Sequence, residues 1–595
     1  MKKIIFINKN TELFFLISTF LFFNIFIISW NYTYLPLTEG WFLLGGKLIE
    51  QGLLPYTDFY AYLTPFYYWY SYFILLLGEE TIFISRVLGQ INLNILFFLT
   101  YKVLNINFPK AQSLITALFS MIFYLSINAI LSYDFIHIVN IFALSSFYII
   151  ATKKSPRYLF LAGFLAAMCF LTKQSNGAVI FITLTIIFIY KFWHYKRFIF
   201  YPFSGAVLAV ILNFIPYYNL EALHIIYENI VINAGSAKGG IIHSLTTLIP
   251  PRSDFYSFQK LLKFILKIFI PLLIIFKSHK LFTKKIDNFL TFDNVETTNF
   301  GIKYLIIFLV LTLMILCFFI FDIKDFFITK SISDFFLNRV YLWAGYCPII
   351  FLLFIKNKSF DKSLGIFLAG LTFAAATSAG LTSVSIFLHV AFLMCLLISF
   401  KSLFSIGCII ALTVMFSYSS IHILEKKHKT YHWWGINSYK GSFESKSIPF
   451  ISKIKNDGLS NHLNIINSKL SNCKNKPSSL IAFPHGAIIN LSTNINPPTP
   501  TISYWFDFLS NKDANYELVK LKQKSLDVVV IISIQELAWK THENLFRPED
   551  KYLTQREINK YLLNIVNTDN YQNIYSFYQD KTKVEIFTVK KLLCN

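Results

Sequence analysis

The chain has few charged residues for its length. Asp, Glu, Lys and Arg make up 14% of its 595 positions, whereas an ordinary soluble protein has roughly 25%. Hydrophobic residues reach 55%, so an excess of apolar residues accompanies the deficit in charge. This composition excludes an ordinary soluble domain and predicts an α-helical polytopic membrane protein.

Cysteine is also scarce, and its spacing argues against two kinds of site. The seven cysteines are scattered, no Cys-x-x-Cys pair occurs, and most of them lie inside apolar runs. This pattern indicates neither a zinc site nor a dense disulfide framework. We therefore interpret the cysteines as core residues.

Acidic residues are outnumbered by basic ones, and the formal net charge is +22. The lysines fall in short clusters between apolar runs, where positive-inside topology accounts for them. We expect membrane lipids as surroundings and no nucleic acid as a partner. Lys2, Lys3 and Lys9 precede the first apolar run, which predicts a cytoplasmic N-terminus and an uncleaved first span.

Apolar runs long enough for a membrane helix occur about thirteen times. The predicted spans are Leu13–Trp30, Ile84–Leu104, Leu114–Ile130, Phe135–Ile150, Tyr158–Thr172, Gly177–Tyr190, Phe198–Tyr217, Leu261–Phe276, Tyr304–Phe321, Val340–Ile355, Leu364–Gly380, Val384–Phe400 and Leu403–Ser419. Lysine and arginine clusters alternate with them as the positive-inside rule requires. We therefore expect a membrane domain over residues 1–420, in the cell membrane.

The first outer loop, residues 31–83, carries most of the motifs. A short helix is predicted between Trp41 and Gln51, with Gly52 ending it and Pro55 starting an extended segment. Pro65 to Gly78 is apolar and aromatic but only about 14 residues long, which favours an interfacial helix over a span. If Pro65–Gly78 were a span, every later loop would be predicted on the opposite side of the membrane.

Residues 421–595 are polar and contain no run long enough to span. Strands are predicted at Ser479–Phe483, near Ile489, at Asp527–Ile534 and at Val584–Val589, and helices at Asn515–Gln523 and Arg556–Asn567. This indicates a small C-terminal α/β domain. Thirteen spans from a cytoplasmic N-terminus place it outside the cytoplasm.

The same alternation brings a set of polar residues to the outer side. They are Glu39, Asp58, Asp134, Lys173, Gln174, Asn176, His224, Glu228 and Asn229. Asp134 and Lys173 each have an ordinary explanation, the first as a helix cap and the second as a single outer lysine. The convergence of both on the loop of Glu39 favours a functional site.

The order of these motifs resembles the GT-C membrane glycosyltransferases, in particular bacterial relatives of lipid A aminoarabinose transferases and protein O-mannosyltransferases. It is carried by an outer acid before Gly, P-Y-T-D-F, a Pro-aromatic helix, a span opening near Arg86, a second outer Asp and L-T-K-Q. The likeness covers roughly Leu13–Asn233. It implies the GT-C fold and inverting transfer of a sugar from a polyprenyl-phosphate donor to a glycan, lipid or protein acceptor.

The chain departs from that family at three motifs. Thr38-Glu39 stands where the family often has Asp-Glu, and Tyr62-Leu63-Thr64-Pro65 replaces Glu-Lys-Pro-Pro, which removes a donor-binding lysine. Glu228-Asn229 replaces a Glu-His. The base is then expected to be Glu39 or Asp58, and Lys173 is expected to substitute for the missing lysine.

Displacing a phosphate from an anomeric carbon requires a carboxylate for the acceptor proton and cations for the departing phosphate. We expect Glu39 as the base, with Asp58 or Asp134 orienting the acceptor or a divalent cation such as Mg²⁺ or Mn²⁺; Glu39 and Asp134 are the candidate metal ligands. The predicted phosphate-binding group is Lys173, Gln174, Lys238 and Arg252. Asn176, Glu228 and Asn229 are expected to support the acceptor or the loop.

Three other functions fit parts of the pattern. An oligosaccharide polymerase or ligase would place its largest outer loop late, whereas here the acids cluster in the first loop. A secondary transporter should show paired repeats and broken helices, and no repeat is found in the sequence. A scaffold built around the C-terminal domain is the third alternative.

Overall fold

A computed structural model describes residues 36–127, 135–237, 361–376, parts of 388–395, 443–499, 501–547, 551–579 and 582–594. The first, eighth, ninth, tenth and thirteenth predicted spans lie outside these residues, and the third, eleventh and twelfth are described only in part. The chain forms two compact units. One comprises residues 1–99, 128–246 and 426–595, and the other comprises residues 100–127 and 247–425.

Helices account for nearly all of the described part of the predicted membrane domain. They are α1 (Pro36–Glu50), α2 (Pro65–Leu76), α3 (Thr81–Leu104), α4 (Lys110–Ile127), α5 (Phe135–Thr152), α6 (Pro156–Thr172), α7 (Gln174–Phe192), α8 (Phe200–Phe214), α9 (Leu220–Tyr227), α10 (Ala234–Ala237) and α11 (Ser363–Ala376). A 3₁₀ turn, Lys196–Ile199, precedes α8, and a π-helical segment, Glu228–Asn233, follows α9.

The two helices of the first loop follow from local signals. Gly52 lies just beyond the end of α1 with φ +87°, a conformation that glycine adopts at little cost. α2 begins at Pro65, whose missing N–H is tolerated in the first helical turn, and it lasts 12 residues. A helix of that length matches the short helix expected here. Its interfacial position stays a prediction.

The second to seventh predicted spans each correspond to one described helix, α3 to α8, with ends shifted by a few residues. Among the residues that the structure describes, α3 and α7 are long and apolar enough to cross a membrane. The plan of thirteen spans therefore stays a prediction.

Glycines let helix α6 approach α8 closely. A Cβ atom on Gly163 would lie 2.0 Å from the Pro202 carbonyl oxygen, and one on Gly205 would lie 2.0 Å from that of Phe160. Small residues at such crossings allow backbones to come close, as is common between membrane helices.

The C-terminal part contains one mixed sheet with helices around it. Its elements are a 3₁₀ turn (Pro449–Ile451), α12 (Leu459–Ser471), β1 (Leu480–Phe483), α13 (Ala487–Thr493), α14 (Asn511–Gln523), β2 (Val528–Ile532), α15 (Glu536–Phe546), α16 (Gln555–Val566), β3 (Tyr571–Gln579), β4 (Thr582–Val589) and a final 3₁₀ turn (Lys590–Leu592). The strand order is β1-β2-β4-β3. β1 and β2 pair in parallel, and the other two pairings are antiparallel.

Strand β2 is buried along its whole length because Val528 to Ile532 are all apolar and β-branched. β4 alternates buried and partly exposed residues, as expected for a strand with one covered face. Both strands were predicted. The predicted strand near Ile489 is wrong, since that run forms α13 and ends at Asn494 in the left-handed region, φ +55°. β3 was missed, because Gln, Asn and Ser interrupt its aromatic residues.

A disulfide joins Cys473, just after α12, to Cys594 at the end of the chain. Both cysteines are buried, as predicted from the sequence, but they are also bonded to each other. The bridge closes a loop of 121 residues, which restricts the unfolded chain of this domain.

The first loop and the C-terminal elements share one hydrophobic core. Trp41 and Phe42 of α1 belong to the same buried cluster as Ile488 of α13 and Phe508. At the closest point, a Cβ atom on Gly40 would lie 2.5 Å from the Ile488 backbone nitrogen. The C-terminal sheet and the first loop are therefore parts of one compact unit.

Replacing Gly40 by alanine should separate α1 from α13, because the new methyl group meets backbone that cannot rotate away. We expect Gly40→Ala to lower the free energy of unfolding by about 1–3 kcal/mol. The measurement is the thermal unfolding midpoint of the full chain in detergent. Gly52→Asn is the control, because a side chain there meets nothing within 4 Å and asparagine tolerates positive φ. Equal midpoints for both variants would contradict this packing.

Candidate functional site

Glu39 and Arg86 form a buried, bidentate ion pair. Arg86 Nε donates to Glu39 Oε1 at 2.9 Å, and Arg86 Nη2 donates to Oε2 at 3.1 Å. Glu39 lies in the first turn of α1 and is 1% exposed, whereas Arg86 lies one turn into α3 and is 5% exposed. The planar guanidinium matches a carboxylate in this geometry. The pair joins the two helices, and both carboxylate oxygens face the arginine.

Asp58 is exposed and closes a tight turn. Its Oδ2 accepts a hydrogen bond from the Leu54 backbone N–H at 2.8 Å. Within the turn, the Tyr56 backbone N–H donates to the Phe59 carbonyl at 2.9 Å, and Tyr56 adopts φ +72°. A bulky residue in the left-handed region is an outlier that the surroundings must enforce. Asp58 therefore has a rigid backbone and an accessible carboxylate.

Tyrosines hold the segment Tyr56–Thr64, which contains Asp58, in place. The Tyr68 hydroxyl on α2 accepts from the Tyr62 backbone N–H at 3.1 Å, and the Tyr56 hydroxyl donates to the Leu63 carbonyl at 2.5 Å. Burial raises the pKa of the Tyr68 phenol, so it stays protonated at neutral pH. The segment is thus fixed over α2 by neutral hydrogen bonds.

Phe508 of the C-terminal region contacts segment Tyr56–Thr64. The Tyr60 hydroxyl donates to the Phe508 carbonyl at 3.1 Å, and the rings of Tyr62 and Phe508 stack at 4.1 Å between centroids. Trp41 of α1 meets Phe508 edge-on at 4.3 Å. Phe508 therefore contacts both α1 and the segment that carries Asp58.

Lys173 and Gln174 lie at the junction of α6 and α7. Lys173 is extended, with φ −152° and ψ 109°, and half-buried. Gln174 Nε2 donates to the Tyr62 carbonyl oxygen at 2.5 Å. A Cβ atom on Gly177 would lie 2.0 Å from the Cys169 carbonyl oxygen, so only glycine permits this close junction. The L-T-K-Q motif is thereby brought against segment Tyr56–Thr64.

The remaining predicted residues have varied surroundings. Asn176 is buried, and its Oδ1 accepts from the Ser175 hydroxyl at 3.2 Å. Glu228 is 53% exposed and lies 3.9 Å from His224, whereas Asn229 is buried and its Oδ1 accepts from Asn233 Nδ2 at 3.3 Å.

Asp134, Lys238 and Arg252 lie outside the described residues. Within the described ranges, no group of three or more His, Cys, Asp or Glu side chains is arranged to hold a metal ion. The roles expected for these three residues, including the Glu39–Asp134 metal site, therefore stay predictions.

Two residues of this region went unrecognised in the sequence. Arg86 was noted only as the start of a span, although a cation inside an apolar run requires a partner. Tyr217 follows α8 and its ring lies 5.7 Å from that of Tyr56. No sequence signal separates Tyr217 from the other 33 tyrosines of the 34 in the chain.

Comparison with known proteins finds no matching family model and no matching curated protein. Among solved structures, the chain is similar to the crystal structure of ArnT from Cupriavidus metallidurans bound to undecaprenyl phosphate. That match has a TM-score of 0.39 and 10% sequence identity, and covers 99% of this chain and 100% of the other. A likeness this distant identifies neither the family nor the substrate of this chain.

Proposed function

We propose that the chain is a membrane glycosyltransferase of the GT-C type, which transfers a sugar from a polyprenyl-phosphate donor to an acceptor at the outer face. The observation that carries the proposal is the contact between Gln174 and Tyr62. It brings the L-T-K-Q motif, which contains Lys173, against the segment that contains Asp58. Glycosyl transfer from a phosphate carrier uses both a carboxylate and a cation.

The geometry favours Asp58 over Glu39 as the general base. A base must reach the acceptor hydroxyl, and Asp58 is exposed whereas both Glu39 oxygens bond to Arg86. In the proposed step the acceptor oxygen bonds to the anomeric carbon with inversion. Its proton passes to Asp58. The bond from that carbon to the phosphate oxygen breaks, and polyprenyl phosphate leaves with its charge offset by Lys173.

Glu39 is then a structural residue in this proposal. Its ion pair with Arg86 holds the first turn of α1 against α3, and α1 supports the loop from which Asp58 projects. That Glu39 is the base, as predicted from the sequence, stays a prediction. Comparing Asp58→Asn with Glu39→Gln distinguishes the two candidate bases.

We expect Asp58→Asn to lower sugar transfer by about 10²- to 10⁴-fold, since the amide cannot accept the proton. Release of undecaprenyl phosphate from labelled undecaprenyl-phosphoryl sugars, in native membrane vesicles that supply the acceptor, measures the rate. Donor binding should change little. Full activity of Asp58→Asn together with an inactive but well-folded Glu39→Gln would return the role of base to Glu39.

Glu39→Gln should instead destabilise the chain, because it leaves Arg86 buried beside a neutral group. Breaking a buried ion pair costs about 3–5 kcal/mol. The double variant Glu39→Gln with Arg86→Met removes both charges and should recover much of that loss. Thermal unfolding midpoints of the two single variants and the double variant measure the coupling. Additive losses would show that the ion pair does not stabilise the fold.

Lys173 is proposed to bind the carrier phosphate, and its removal should weaken that binding. A hydrogen bond to a charged group contributes about 1.5–3 kcal/mol, so Lys173→Met should raise the dissociation constant for undecaprenyl phosphate about 10- to 100-fold. Lys154→Met, at an exposed lysine before α6, is the control with the same change of charge. Equal affinities of both variants for undecaprenyl phosphate would show that Lys173 does not bind the phosphate.

The disulfide supports the proposed orientation independently of the span count. Bonds such as Cys473–Cys594 persist in oxidising compartments and are rare in the cytosol. We therefore propose that residues 421–595 lie outside the cytoplasm. The cytoplasmic N-terminus is proposed from the cluster of Lys2, Lys3 and Lys9 before the first apolar run.

An alkaline-phosphatase fusion after Ser419 should accordingly be active, and one after Lys285 inactive. In the native chain, mass spectrometry without reductant should recover the peptides of Cys473 and Cys594 as one linked species. The opposite fusion pattern, with free thiols at both cysteines, would show that the proposed topology is reversed.

A further inference from the structure

Three buried polar atoms around segment Tyr56–Thr64 have no hydrogen-bond partner in the described structure. They are the Tyr217 hydroxyl, the Thr64 hydroxyl and Gln174 Oε1. Tyr217 is 2% exposed and Thr64 is fully buried. Buried polar groups are nearly always paired, because each unpaired one keeps the full cost of its lost hydration. Three of them in or beside one short segment indicate that a polar group of another molecule pairs with them.

Hydrogen bonds and ring contacts place these three residues around Leu63. Gln174 bonds through its Nε2 to the carbonyl oxygen of Tyr62, the residue before Leu63. The Tyr56 hydroxyl bonds to the Leu63 carbonyl, and Tyr217 packs its ring against Tyr56 at 5.7 Å between centroids. Thr64 follows Leu63 directly. Three separate parts of the chain, the loop, the α6–α7 junction and the end of α8, thus supply one group each.

The three unpaired polar atoms are suited to binding a hydroxyl-rich ligand. Two hydroxyls can donate or accept and an amide oxygen accepts, so each can pair with a sugar hydroxyl. The ordered segment also carries Asp58, which interacts electrostatically with Tyr217. Gln174 follows Lys173 directly, so a sugar bound here would be next to the cation assigned to the phosphate. A polyprenyl chain has no groups that could pair with these atoms.

We propose that Tyr217, Thr64 and Gln174 form a subsite that hydrogen bonds the ring hydroxyls of the sugar carried on polyprenyl phosphate. This rests on the proposed glycosyltransferase function. The subsite selects the sugar, whereas Lys173 binds the phosphate that every such donor shares. Sites built to hydrogen bond a hydroxyl discriminate strongly against ligands that lack it.

The test compares lipids with and without a sugar. Undecaprenyl phosphate and its mannosyl, N-acetylglucosaminyl and 4-amino-4-deoxyarabinosyl phosphodiesters are titrated onto the full chain in nanodiscs. We expect the wild type to bind at least one glycosylated lipid more tightly than the bare carrier. Tyr217→Phe keeps the ring contact with Tyr56 and removes only the hydroxyl. It should reduce that preference about 10-fold, as expected for one lost hydrogen bond, and leave binding of the bare carrier unchanged.

Tyr218→Phe is the matched control, since Tyr218 is adjacent and 93% exposed; it should bind as the wild type does. Thr64→Val provides a second isosteric change at a different element if Tyr217→Phe does not fold. An unchanged preference in both Tyr217→Phe and Thr64→Val would overturn the subsite and leave the proposed function standing. Equal loss for bare and glycosylated lipids would also overturn it, by showing that these hydroxyls only support the fold. A wild type that binds none of the four lipids would overturn the proposed function and the subsite together.

Discussion

Helix α1 is enclosed on almost every side, and this burial constrains the rest of the described structure. From Glu39 to Ile49 only Lys47 is not fully buried. A helix that is apolar all round must be surrounded by other elements, and here these are α2, α3 and the C-terminal α13. The Ser71 hydroxyl donates to the Phe42 carbonyl at 2.6 Å and accepts from the Gly46 N–H at 3.1 Å, which ties α1 to α2.

This enclosure explains why an acid in the first outer loop is so deeply buried. Glu39 sits at the N-terminal end of α1, where the helix dipole favours a negative charge, and Arg86 supplies a full counter-charge. Burying either charge without the other would strongly destabilise the fold. The loop acid that the motif order singles out, Glu39, is therefore engaged in holding helices together, whereas Asp58 of the same loop is exposed.

The C-terminal region takes part in the candidate site through packing as well as proximity. Phe508 stacks on Tyr62, and Arg547, itself buried, donates to the Ala237 carbonyl at the end of α10 and to the Leu509 carbonyl at 2.7 Å. An exposed ion pair between Lys453 and Glu80 at 3.0 Å adds little energy by itself. The position of Asp58 and segment Tyr56–Thr64 thus depends on residues more than 400 positions away in the chain.

Local sequence determined the parts of this protein that depend on neighbouring residues. Apolar runs of helical length gave α3 to α8 because a helix pairs its own backbone groups, Gly52 and Pro65 bounded the loop helices, and the β-branched run at Val528 specified a buried strand. Asp58 could be singled out because it lies in an aromatic stretch, and Lys173 because the order of the spans places it on the outer side, against the positive-inside trend. Tertiary structure alone decided the Glu39–Arg86 pair, the disulfide, the helical state of the Ile489 run and the burial of the Tyr217 hydroxyl. Each of these depends on distant segments meeting, and a hydrogen bond, ion pair or covalent bond across such a distance leaves no periodic signal in the chain.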